Sequence, residues 1–210
     1  NYSLKQIVNT KPKERNNMAG KTEWVQIDAF LFWAKVFEEN RDTAERAKRQ
    51  GVTHKGVLKG LEASEGKYTV EVIPATQDDL DKVQKVLTDD LYGGRKRYKD
   101  VDLGAGKSFE LERKHLNKHV FKDRETGEEK EYDFGGQPEI VWFNDDNGKN
   151  VKWDIEKDGL IGNGTLAKVK FQVYMPDGVP TTADTIRLEK LGIIDHVTYE
   201  TDGGNSEGRF

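Results

Sequence analysis

Between Trp24 and Trp33 the chain alternates. Val25, Ile27, Ala29, Leu31 and Trp33 share one parity; Gln26, Asp28, Phe30 and Phe32 share the other. A period of two is that of a β-strand, whose successive side chains point to opposite faces. Rings on the second parity predict a strand covered in part on both sides. The period returns in KYTVEVIP (67–74), where Tyr68, Val70 and Val72 face one way and Pro74 ends the run. It is cleanest after the glycine-punctuated LIGNGT. There Ala167, Val169, Phe171 and Val173 oppose Leu166, Lys168, Lys170, Gln172 and Tyr174.

Shorter strands are predicted elsewhere. SFELERKHL puts Phe109 and Leu111 on a face with Arg113 and His115, and KDRETGEEKEYDFGG reads as a hairpin tip. Ile140 to Phe143 form a buried run that turns at Asp146-Asn147-Gly148 and comes back. TIRLEKLGIIDHVTYE is a last strand pair, or one strand kinked at Gly192. One segment has the helical period: TQDDLDKVQKVLTDD, with Thr76 as cap, Asp78 and Asp79 in the first turn, and Leu80, Val83 and Leu87 as its stripe. FEENRDTAERAKRQGVTHKG (37–56) is charged without a stripe, a loop or a solvated helix. Many short strands with one principal helix predict a mainly β barrel or sandwich. Residues 1–23 read as a flexible N-terminal arm, 24–200 as one domain, and 201–210 as a flexible C-terminal tail.

The 210 residues are 34% charged, yet nine Phe, seven Tyr and four Trp argue for a folded chain. A net charge of −4 means that any polyanion site is a local concentration of cations. Without cysteine, disulfides, thiolate zinc sites and thiol nucleophiles are excluded. No run is apolar enough to span a membrane and no signal-peptide core is visible, so a soluble intracellular protein is expected.

The strongest chemical feature is cations interleaved with rings. Lys168, Lys170 and Tyr174 share the polar face of one strand. RKHLNKHVFK (113–122) opens on Arg113-Lys114 and holds no acid; Arg95-Lys96-Arg97-Tyr98 sits in a glycine-rich loop; Lys35 follows Trp33 closely. Single-stranded DNA presents a phosphate at every nucleotide and an open π-face on each base. Its site needs cations along the backbone and rings for stacking. On this reading Lys35, Arg95, Lys96, Arg97, Arg113, Lys114, Lys168 and Lys170 track phosphates, while Tyr98, Trp153 and Tyr174 stack bases. The plain alternative is a solvated strand face with the rings in the core, which suits Trp33, Trp142 and Phe143.

Other chemistries fit less well. GAGKS (104–108) ends like a phosphate-binding loop, but Val101 stands where the first glycine belongs. Asp102 with Glu112-Arg113-Lys114 imitates the carboxylates and lysine of a Mg²⁺-dependent nuclease, a spacing common by chance in so charged a chain. His115 and His119 lack a third metal ligand nearby. No cofactor or metal is expected.

The order of segments resembles the tailed-phage single-stranded-DNA-binding proteins. It runs from Trp33-Ala34-Lys35-Val36-Phe37, through GKYTVEVIP and the helix DDLDKVQKVL, to FELERKH. VWFNDDNGK, LIGNGTLAKVKFQVY and IRLEKLGIIDHV complete it. The turn Ile161-Gly162-Asn163-Gly164 is the most specific piece. The resemblance implies an OB-fold-like antiparallel barrel with one principal α-helix and long loop insertions. It implies non-catalytic, sequence-tolerant binding of single strands in phage replication or recombination, in the cytoplasm of an infected bacterium. Replication and recombination proteins would be partners through the C-terminal tail, and a homodimer is a further expectation; TDGGNSEGRF ends on Phe210 but is only mildly acidic. The alternatives are the nuclease and a β-rich phage structural or adaptor protein.

Overall fold

The computed structural model describes residues 21–91, 94–123, 125–143, 150–175 and 186–199. Most of the expected arm, the whole tail, Arg124 and the Asp146-Asn147-Gly148 turn lie outside the described residues. Two long strands form the spine: β1 (Lys21–Lys35) and β9 (Thr165–Met175), antiparallel, with Val25 opposite Phe171 and Ala29 opposite Ala167. Lys21, Thr22 and Glu23 thus belong to the strand and not to the arm. The alternation works as read. Val25, Ile27, Ala29, Leu31, Ala167, Val169, Phe171 and Val173 all point inward and are buried. Removing a side chain such as Phe171 from water contributes roughly 1.5–3 kcal/mol.

β2 (Lys67–Pro74) pairs with the other edge of β1, β4 (Lys107–Lys114) with β2, and β10 (Ile186–Asp195) with β9, all antiparallel. β3 (Lys99–Asp100), β7 (Glu139–Trp142) and β8 (Val151–Lys152) extend the edges. The order is β3-β4-β2-β1-β9-β10-β7-β8. β5 (Lys118–Lys122) and β6 (Glu129–Asp133) form a separate hairpin, as the sequence predicted for this stretch.

The expectation of an antiparallel barrel needs correction: the sheet is mixed and not closed by hydrogen bonds. β7 runs parallel to β10, from Lys190 opposite Glu139 to Ile193 opposite Trp142, and so occupies part of the edge that closure would need. Where β4 does reach β10, a side chain joins them. The Arg113 guanidinium donates to the Glu189 carboxylate at 2.7 Å, to Leu188 O at 3.2 Å and to Gly135 O at 2.9 Å.

α3 (Gln77–Gln84) begins on Thr76, whose Oγ1 accepts from the Asp79 N–H at 3.2 Å, and Leu80, Val83 and Leu87 enter the core. Tyr98, Phe109 and Phe171 meet edge to face at 5.8 and 6.1 Å through its centre. It is not the one principal helix. α1 (Ala44–Arg49) and the longer α2 (Lys55–Ala63) fill the charged excursion, and α4 (Ile155–Asp158) is a single turn. α1 and α2 enclose only Ala44, Ala47 and Leu61, with Val52 and Leu58 alongside. So small an apolar set leaves almost no stripe to read. No helix among the described residues is long and apolar enough to cross a membrane.

Candidate nucleic-acid interface

The parity that fills the core leaves the opposite faces of β1, β9 and β10 outward. Register places Trp24 across from Gln172, Gln26 from Lys170, Asp28 from Lys168, and on the next strand Arg187 across from Gln172. On this face cations lie over rings. Lys170 Nζ is 4.5 Å from the centre of the Trp24 ring, Lys168 Nζ 5.0 Å from Phe143, and the Arg187 guanidinium 5.7 Å from Phe134. Trp24 is 53% exposed and Tyr174 44% exposed, so their rings remain open to a ligand.

Phe134 carries the row onto the hairpin. His119 and Phe121 of β5 and Tyr132 of β6 share its face; Phe121 meets Tyr132 at 5.7 Å, Tyr132 meets Phe134 at 6.4 Å, and His119 meets Phe134 at 5.8 Å. Phe121 and Tyr132 are about half exposed. The result is a continuous ring-and-cation row from Phe143 across Trp24 and Arg187 to the hairpin. Carboxylates temper it: Lys168 binds Asp28 at 2.7 Å, Lys190 binds Glu139 at 3.0 Å, and Arg187 pairs with Glu189. Lys170, unlike Lys168, Arg187 and Lys190, has no ion pair among the described residues.

The residues expected from sequence divide sharply. Lys168, Lys170 and Tyr174 lie on this face. The loop residues do not join them. Lys96 pairs with Asp90 and lies 3.7 Å from Asp89, Arg97 donates to Thr88 O at 3.0 Å, and Arg95 is exposed on the same loop. Lys35 is held by Asp42 at 2.7 Å, and Lys114 is exposed at the end of β4.

Three roles are corrected. Tyr98 is interior, 8% exposed, and its hydroxyl donates to Leu87 O at 2.9 Å; burial pushes its pKa up to about 12. Trp153 is also interior: it lies 4.7 Å from Trp142 and its indole N–H donates to Gly159 O at 3.0 Å. Arg113 is mostly buried, and its guanidinium is taken up in fastening β4 to β10. Each ring buries its body while its polar atom reaches a backbone carbonyl, an arrangement that the local sequence does not reveal.

Trp24, Phe134, Phe143 and Arg187 were missed. Trp24 had a legible signal, since it has the outward parity of β1. Phe134 and Phe143 lie just past strand ends, where parity no longer applies.

The nuclease constellation is not assembled. Glu112 is held by Lys67 at 2.5 Å near one end of β4, while Asp102 lies beyond the opposite end, past Asp100, which pairs with Lys107. No group of three His, Asp or Glu suited to a metal occurs among the described residues. In the GAGK turn, Lys107 pairs with Asp100 at 2.5 Å. His115 accompanies the Tyr68 hydroxyl at 2.8 Å, while the His119 ring lies against Phe134 on the hairpin face.

Neither a scan against protein-family models nor a search of curated proteins finds a match. Among solved structures the chain is similar to gp2.5, a single-stranded DNA binding protein encoded by bacteriophage T7. Identity is 16% and the TM-score 0.42, over 91% of this chain and 99% of that one. At that distance, what the chain binds has to be argued from its own side chains.

Proposed function

We propose that the chain binds single-stranded DNA without sequence preference, along the outer face of β1, β9 and β10 and onto the β5–β6 hairpin. One observation carries this reading: three cation–ring pairs, Lys170–Trp24, Lys168–Phe143 and Arg187–Phe134, line one surface and lead to four rings on a hairpin face. A ring offers its face to any base and a lysine beside it takes the adjoining phosphate. Such pairs favour unpaired bases, whose faces are open, over a duplex, whose bases stack on each other. Stacking contributes roughly 1–3 kcal/mol per base.

The curl of β4-β2-β1-β9-β10, with β4 brought against β10 by Arg113, supports a partly open, OB-like barrel as scaffold. The role is binding and protection of strands, not catalysis. With the ordered segments that resemble tailed-phage single-stranded-DNA-binding proteins, it belongs to replication or recombination of a phage genome.

The test is titration of a fluorescent oligonucleotide, single-stranded, duplex and RNA, at several salt concentrations. Tighter binding of the single strand, weakening as salt rises, is expected because cations on phosphates release counterions. Equal affinity for duplex, or affinity independent of salt, would overturn the reading.

A further inference from the structure

At the end of β1 the alternation breaks. The pairing with β2 shifts register between Phe32 and Lys35, so Ala34 and not Trp33 turns inward. Trp33 has φ 53°, in the left-handed region that a bulky residue rarely adopts, and its ring is 48% exposed. Such a conformation persists only where surrounding structure holds it. Here the Trp33 N–H donates to Asn163 Oδ1 at 2.8 Å. Asn163 stands between two glycines that fix the turn: Gly164 N–H donates to Leu31 O and Gly162 N–H to Val197 O, both at 2.8 Å. A Cβ on Gly162 would lie 2.5 Å from Val197 O, so only glycine fits. The Gly-Asn-Gly motif, unused by the sheet-face row, thus serves to present Trp33.

Trp33 forms one wall of a cleft of about 860 Å³, and Tyr199, 43% exposed, lines it as well. Arg46 and Arg49 of α1 line it too. Arg46 is fixed by donating to Asn40, Arg41 and Glu39 carbonyls, and no carboxylate pairs with either arginine among the described residues. The lining holds no Asp or Glu, whereas the smaller groove beside Lys170 is lined by Glu139 and Glu189. A ring carried on a strained backbone, a second ring and two guanidinia with no carboxylate partner among the described residues line one concavity.

We propose that this cleft holds a nucleotide of the bound strand, with its base against Trp33 and Tyr199 and its phosphate on Arg46 and Arg49. The inference rests on the single-strand reading above. The cleft lies nine residues along β1 from Trp24, or ~30 Å of strand, and is a separate site from the row of rings.

The test uses the full chain and an oligothymidylate carrying 5-iododeoxyuridine, cross-linked by light and mapped by mass spectrometry, beside affinity measurements. Trp33→Gly removes the ring while suiting the left-handed backbone, so fold stability should hold. Tyr199→Ala tests the second ring without touching that backbone. Cross-links at Trp33 or Tyr199 are expected, with about a tenfold loss of affinity in each variant. Arg49→Ala should lower the salt slope by about one. Cross-links confined to Trp24, Phe143 and the hairpin, with both variants binding within twofold of the parent, would remove the cleft and leave the sheet-face site. Failure of the parent chain to bind the oligonucleotide would remove both.

Discussion

The loop around residues 94–107 and the outer face of β9 have much the same ingredients: lysines and arginines beside aromatic residues. Their fates differ. In the loop, acids six or seven residues away capture Lys96 (Asp90) and Lys107 (Asp100), and Glu71 of β2 lies 3.5 Å from Lys99. The loop's ring, Tyr98, turns into the core. On β9 the strand period forbids that retreat. Lys168 and Lys170 must point outward because Val169 and Phe171 point inward; Asp28 meets Lys168 there, and rings from β1 and from beyond β7 lie beside the two lysines. A basic, aromatic stretch thus stays open to solvent when backbone geometry holds both groups on one outward face, and is self-satisfied when the chain can fold back on itself.

Arg113 gives the largest expected effect, and it belongs with the inward-satisfied cations. It and Glu189 are mostly buried, at 14% and 17% side-chain exposure. Arg113→Ala takes from Glu189 one of its two guanidinium partners, leaving Arg187, and unfastens β4 from β10. A loss of about 3 kcal/mol is expected from urea unfolding, the low end for breaking a buried pair. A phosphate-binding Arg113 would instead lower DNA affinity with stability intact. The double variant Trp24→Ala/Lys170→Ala should do that: a 10- to 100-fold loss of single-strand affinity, one stacked base and one phosphate contact, with little change in unfolding. Unchanged affinity would erase the distinction drawn for β9.

Much of the scaffold was legible because it obeys one rule. The parity of 24–32 and 166–174 placed the buried row, and Leu80, Val83 and Leu87 placed α3. What escaped had no local signal. The parallel pairing of β7 with β10 joins residues about fifty apart, and its strand has only four residues. Gly192, read as a kink, lies within an unbroken β10; it admits the Phe143 ring, whose atoms would be 3.3 Å from a Cβ there. Trp33 was placed on the core parity and sits outside it, because a bulge resets the period and a sequence does not announce a bulge. On the candidate face, the outward placing of Lys168, Lys170 and Tyr174 followed from parity; the rings that accompany the two lysines come from β1 and from beyond β7, and only pairing brings them there.

Tyr98 sharpens the contrast from the loop side. Its hydroxyl serves Leu87 O, so Tyr98→Phe should lower stability by about 1 kcal/mol and leave DNA affinity unchanged. The pH dependence has a definite sign. Burial raises the folded pKa to about 12 from an ordinary 10.0, so the unfolded chain ionises first. The contribution is complete below pH 10 and is lost as pH rises toward 12. Tyr68, also raised by burial and by its bond to Glu38, acts in the same direction. Alkaline unfolding curves of Tyr98→Phe should therefore slope less steeply than the parent's, while keeping the part owed to Tyr68.

The smallest effect is the most discriminating. Lys96 is exposed and already faces Asp90 and Asp89, so a phosphate arriving there would have to displace two carboxylates that stay in place. Exchanging one anion for another releases little counterion. Lys96→Ala should leave the unfolding midpoint unmoved and change oligonucleotide affinity by less than about twofold, with the slope of log affinity against log salt preserved. Lys170→Ala, which removes a lysine that no carboxylate among the described residues pairs with, should lower that slope by about one. Both variants remove one positive charge, so the comparison cancels the change in net charge and isolates position. Equal slopes for the two would mean that net charge alone sets the affinity, and the separate standing of β9 and its rings would be lost.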